Sequence, residues 1–145
     1  MYKDEIYKIQ HLTIDTIIEI AQSLVPSHLK SCPWSILDHG RKLLSTEDEL
    51  NCYLAAYGET HKKKAFKAIE DLPFTEFRDA IEIFDWGCGQ GLASLCLIEK
   101  IREWGNLHLL CKVTLIEPSK IAIHRAEINL QQVLLDSVCK ISLIE

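Results

Sequence analysis

Residues 80–94 read "AIEIFDWGCGQGLAS". A short run rich in isoleucine and aromatics ends in an acid. Three glycines then alternate with other residues, and a helical pattern follows. No other stretch constrains the fold as tightly. A strand that feeds a helix through a glycine turn needs a parallel neighbour onto which the helix returns the chain. Two such neighbours are legible. Lys112–Glu117 reads as a second strand, and "SVCKISLI" as a third. Between them lie helical patterns over 91–103 and in "PSKIAIHRAEINLQQVLL", where Pro118 falls near a first turn and its missing N–H costs little. The order β-α-β-α-β predicts a parallel sheet with right-handed crossovers.

The chain before residue 80 is different. Ile14, Ile17, Ile18, Ala21, Leu24 and Val25 keep helical spacing over 11–25, and Pro26 ends the run. A short helical turn is expected around Trp34–Leu44. Thr46 with Glu49 forms a capping box, and Glu47, Asp48 and Glu49 suit the positive end of a helix dipole. Leu50, Tyr53, Leu54 and Tyr57 share one face of the helix that follows. Gly58 is expected to kink or divide it, and its second half, His61–Leu72, stops at Pro73. The division is therefore a helical N-terminal domain over 1–78 and a sheet-bearing domain over 79–145.

The bulk properties narrow the classes. The 145 residues are 48% hydrophobic and 26% charged, the composition of a globular domain with one sizeable core. A net charge of −5 disfavours a nucleic-acid binder that works by overall charge. No window approaches the roughly 18 apolar residues of a membrane span. The N-terminus "MYKDEIYKIQ" does not resemble a signal peptide, so a cytoplasmic protein with reduced thiols is expected. The six cysteines form no C-x-x-C pair and read as small core residues, and the histidines share no metal spacing, so no metal site is expected.

The glycine loop decides among ligands. A Walker loop is excluded, because no G-K-[ST] follows. A dinucleotide fingerprint, G-x-G-x-x-G/A, fails from Gly87, where the third position is Leu92; from Gly89 it ends on Ser94, a weaker fit. Asp85, two residues before Gly87, would also repel a pyrophosphate. The run Asp85, Gly87, Cys88, Gly89, Gly91 resembles motif I of the class I S-adenosylmethionine-dependent methyltransferases, an acid followed by G-x-G-x-G. That cofactor carries an ammonium and a sulfonium but no phosphate, so an acid beside the loop is tolerated. The resemblance implies that the three glycines let the backbone approach the methionine and ribose portions. It also implies that Glu117, at the tip of the second strand, binds the ribose hydroxyls, for which an acceptor-only carboxylate is suited. The site residues expected from the resemblance are Asp85, Gly87, Cys88, Gly89, Gly91 and Glu117, with S-adenosylmethionine as cofactor.

The resemblance covers residues 80–145 and implies α/β architecture: an N-terminal helical domain followed by a partial Rossmann-like parallel sheet. It further implies that the family's later strands, which carry its catalytic motif, lie beyond the third strand, so no catalytic residue is assigned and this segment is expected to be inactive alone. The first strand would then be a sheet edge, and an apolar edge invites self-association. The methyl acceptor, whether RNA, a protein or a small molecule, is not specified by these residues. Tyr53, Tyr57, Glu59 and His61 are the residues to watch if the helices lie over the cofactor. Otherwise the tyrosines are core aromatics, and Lys62–Lys64 reads as a solvated face rather than a contact to RNA phosphate. Trp86 is expected to pack beneath the loop, and Cys88, with no paired base, not to act as a nucleophile. Two other readings stand beside this one: a non-catalytic interaction domain of degenerate methyltransferase fold, and a segment of a dinucleotide-dependent oxidoreductase.

Overall fold

The computed structural model describes residues 1–145. Two helices open the chain, α1 (Tyr2–Ile6) and α2 (Ile14–Ser23), the second capped by Thr13, whose Oγ1 accepts from Thr16 N–H. Residues 27–40 form three short 3-10 turns in place of one helical turn, and Asp38, His39 and Gly40 all take positive φ. The long helix α3 (Glu47–Ile69) begins at the capping box: Glu49 N–H donates to Thr46 Oγ1, and Thr46 N–H donates back to Glu49.

Helix α3 runs unbroken through Gly58, which corrects the expected kink. A Cβ at that position would lie 3.1 Å from Ile18 Cγ1, so the glycine serves the close approach of α2 to α3.

The second half follows the expected order: β1 (Ile81–Trp86), α4 (Leu92–Glu103), β2 (Leu110–Ile116), α5 (Lys120–Val133) and β3 (Lys140–Ile144). Helix α5 is capped by Ser119, whose Oγ accepts from Ala122 N–H, so Pro118 precedes the cap rather than entering the first turn. All pairings are parallel, and the order β1-β2-β3 puts β2 in the centre and leaves β1 as an edge.

The sheet has one covered face. Ile83, Val113 and Leu115 point at α4 and α5 and join one apolar cluster with Leu95, Ile98, Ile123 and Leu130. The same cluster contains Tyr2, Ile6, Ile14, Ile17, Ile18 and Leu54. The division at residue 78 is thus a change of secondary structure within a single shared core. Helix α3 lies along α4, and α1 lies against α5, so the N-terminal helices form a third layer outside the crossover helices. They leave the opposite sheet face bare: Phe84, Trp86 and Ile144 are exposed there. Trp86 is 78% exposed, not packed beneath the loop. Side chains alternate along a strand, so Trp86 must face away from its neighbour Asp85. No helix is long and apolar enough to cross a membrane.

Candidate functional site

The site forms where β1 and β2 end side by side. Gly87 N–H and Cys88 N–H both donate to Ile116 O, at 2.7 and 3.2 Å, which folds the loop over the tip of β2. Gly87, Gly89 and Gly91 take φ of 66°, 52° and 81°, a region closed to most side chains. Gly91 caps α4 without a side-chain bond, so the first turn of α4 is left to other acceptors.

The three glycines do not share one role. Nothing lies within 4 Å of a Cβ built on Gly87 or Gly89, and both face open space. A Cβ on Gly91 would lie 3.0 Å from Ala126 Cβ and 3.1 Å from Leu130 Cδ1. Gly91 therefore lets the loop pack closely on α5.

Two carboxylates flank the open part of the loop. Asp85, half-buried at the end of β1, accepts from Ser94 Oγ at 2.6 Å through one oxygen. Glu117 follows β2 and is only 9% exposed. Its two oxygens accept from Gly89 N–H and Ser119 N–H, each at 2.9 Å. These bonds aim the carboxylate, and each oxygen keeps a second lone pair. Cys88 is buried between the two acids. Burial, then the charges of Asp85 and Glu117, push its thiol up to about 12, so it stays protonated and is no nucleophile.

Two cavities meet over this loop. One, of about 280 Å³, lies between α3 and the loop and is lined by Tyr53, His61, Lys64 and Asp85 among others. The second, of about 170 Å³, is lined by Lys42, Leu43, Leu44, Glu117 and Ser119. Tyr53, Gly87, Gly89 and Gln90 border both. Tyr53 and Tyr57 are thus not sealed core aromatics: Tyr53 lines both cavities, and Tyr57 stacks on His61 with ring planes 16° apart. Burial, followed by the nearby Lys64 charge, lowers the His61 pKa and favours the neutral ring. Glu59 is engaged with Lys62. A further cavity of about 290 Å³, between Gln10–Thr13 and Leu134–Ser137, touches none of these residues.

A buried polar network beneath the loop escaped the sequence. Arg125, 2% exposed, donates to Asn51 Oδ1 at 2.7 Å and to Gln90 Oε1 at 3.2 Å, and pairs with Glu47. Its guanidinium lies 3.9 Å from the Tyr2 ring centroid. Gln90 donates to Leu50 O, Asn129 donates to Gln90 O, and Tyr2 donates to Asn129. Through these bonds α1, α3 and α5 all grip the middle of the loop. One signal was readable: Glu47 and Asn51, and again Arg125 and Asn129, sit four residues apart on one helix face.

No family model, curated protein or solved structure matches the chain.

Gly87 and Gly89 leave the backbone bare beneath open space, Glu117 keeps acceptor capacity toward the smaller cavity, and Asp85 has one oxygen without a partner from the protein.

Proposed function

We propose that this chain forms the cofactor-binding segment of a class I S-adenosylmethionine-dependent methyltransferase with a Rossmann-like sheet. One observation carries the reading. Two carboxylates stand at the ends of adjacent parallel strands, on either side of a glycine loop whose Gly87 and Gly89 have open space above them. Ligands of open parallel sheets bind outside the carboxyl ends of the strands. Glu117 would accept from the two ribose hydroxyls, and Asp85 would face the ammonium. A pyrophosphate is disfavoured because Asp85 and Glu117, which flank the loop, are both acids.

The bound cofactor would supply an electrophilic methyl group on a sulfonium. The protein's part is positioning and electrostatics. Glu117, locked by Gly89 and Ser119, fixes the sugar. The bare loop lets the ligand lie against backbone. Cys88, held neutral, adds no competing nucleophile.

Calorimetric titration with S-adenosylhomocysteine tests the reading. Binding is expected, and Glu117→Ala should weaken it by at least about tenfold, the loss of hydrogen bonds to a charged acceptor. Absence of binding by the wild-type chain, folded by circular dichroism, overturns it.

A further inference from the structure

The six cysteines divide by exposure. Cys52, Cys88 and Cys96 are buried, and Cys32 is half-buried beside the sealed Cys52. Cys111 is exposed and Cys139 is half-buried, so these two are not the core residues expected from composition. They are also neighbours in the sheet. Strands β2 and β3 run parallel with Lys112 opposite Lys140, and Cys111 and Cys139 stand immediately before that pair. Neighbouring strands lie about 4.7–4.9 Å apart, inside the Cα separation of about 4.4–6.8 Å that a disulfide spans. Burial, then the neighbouring Cys111, push the Cys139 thiol up, as fits two sulfurs within electrostatic reach.

Local structure explains why Cys111 is accessible. It is the extra residue of a β-bulge: Ile81 pairs with Leu110 and Glu82 with Lys112, and Cys111 has no partner on β1. Leu110 keeps its place in the core while Cys111 is exposed. The thiol donates to Ile81 O at 3.3 Å, a weak bond that rotation about Cα–Cβ would release toward β3. Lys112 and Lys140 stand side by side, and neither forms an ion pair, although Glu82 lies opposite Lys112. Cations beside a thiol favour its thiolate and attract an anionic reagent.

We infer that Cys111 and Cys139 form a modification site, a dithiol that a low-molecular-weight disulfide such as oxidised glutathione converts to an intramolecular disulfide. The Cys111 thiolate attacks one sulfur of the reagent, whose S–S bond breaks and releases one thiolate. Cys139 then loses its proton to solvent and attacks the Cys111 sulfur, releasing the second. Two protein thiols are oxidised by two electrons, the reagent is reduced to two thiols, and the two protons end on them. The bond closes the β2-α5-β3 crossover, the segment that carries Glu117 and Ser119. Closing that loop restricts the unfolded chain and so favours the fold. The cross-link lies at the opposite end of the strands from the glycine loop, so it does not depend on what the loop binds.

The folded chain is incubated with oxidised glutathione, mapped by mass spectrometry without reduction, and melted. A Cys111–Cys139 bridge within one chain is expected, with Tm raised by about 5–10 °C and restored by dithiothreitol. Cys139→Ser should stop at a mixed disulfide on Cys111, and Cys111→Ser should leave Cys139 unmodified over the same time. A wild-type chain that keeps its thiols or stops at a mixed disulfide overturns the site. So does a bridge between chains or between other cysteines, or a bridged chain that melts no higher. Modification of Cys139 in Cys111→Ser overturns the assigned order of attack.

Discussion

The glycine loop has two sides built on opposite rules. Its underside is packed and bonded: Gly91 lies close against Ala126 and Leu130, and Gln90 is held by Leu50, Asn129 and Arg125. Its upper side is open: a Cβ on Gly87 or Gly89 would meet nothing within 4 Å, and Asp85 and Glu117 flank the gap. The five-residue loop is thus split into residues that hold it and residues that leave room. Changes beneath should cost folding, and changes above should cost ligand binding.

The sharpest test sets Gly91→Ala against Gly87→Ala. Both place a side chain at positive φ, which costs about 1–2 kcal/mol. At Gly91 the new methyl also collides with α5, and overpacking adds about 1–3 kcal/mol. Urea denaturation should therefore show Gly91→Ala as the more destabilised of the two. Equal losses would break the distinction between the two sides.

Arg125→Met comes next. It removes the donor that serves Asn51, Gln90 and Glu47, and leaves buried acceptors without a partner. A loss of about 2–3 kcal/mol is expected, below the full cost of splitting a buried ion pair because Glu47 remains half in water. Hydrogen exchange should quicken together in α1, α3 and the loop. Exchange confined to α5 would show that the network does not couple them.

Legibility followed range. The Thr46–Glu49 capping box lies within four residues and was readable outright, as were the strands on either side of α4. The Arg125 network joins residues 35 and 74 positions apart; the four-residue spacing on each helix marks two polar faces but not that they meet. Gly58 was misread because a glycine in a helix signals a kink only when no neighbouring helix needs the space, and Ile18 does. Trp86 was misread although its parity with Phe84 already placed it opposite Asp85. In the candidate site, the spacing of Asp85, the glycines and Glu117 was legible. That Lys64 lines the larger cavity was not, because a lysine run reads as a solvated face until the wall opposite is known.

Glu49 extends the comparison to the helix that roofs the open side. Burial raises its pKa, but Lys42 and the bonds from Ser45 outweigh it and bring the carboxyl down to about 2. A carboxylate with a depressed folded pKa contributes stability above its unfolded value of about 4.5. That contribution is lost as pH falls from there through about 2. Glu49→Ala should cost about 1–2 kcal/mol at pH 7 through the lost capping box, and the difference from wild type should shrink below pH 4. A difference that stays constant with pH would assign the loss to packing rather than to the charge.

The smallest effect lies on the bare face of the sheet, where the sign should reverse. Thr114 is buried in the central strand between Phe84 and Ser142, and its Oγ1 has no hydrogen-bond partner. A buried hydroxyl without a partner is a standing cost that the isosteric Val avoids. Thr114→Val is expected to raise stability by about 1 kcal/mol in urea denaturation and to leave S-adenosylhomocysteine binding unchanged, since the side chain faces away from both cavities. A loss of stability would mean that the hydroxyl is satisfied in solution, by water or by a second chain laid over this face. Light scattering across a concentration series separates the two, because only the second makes the loss depend on self-association.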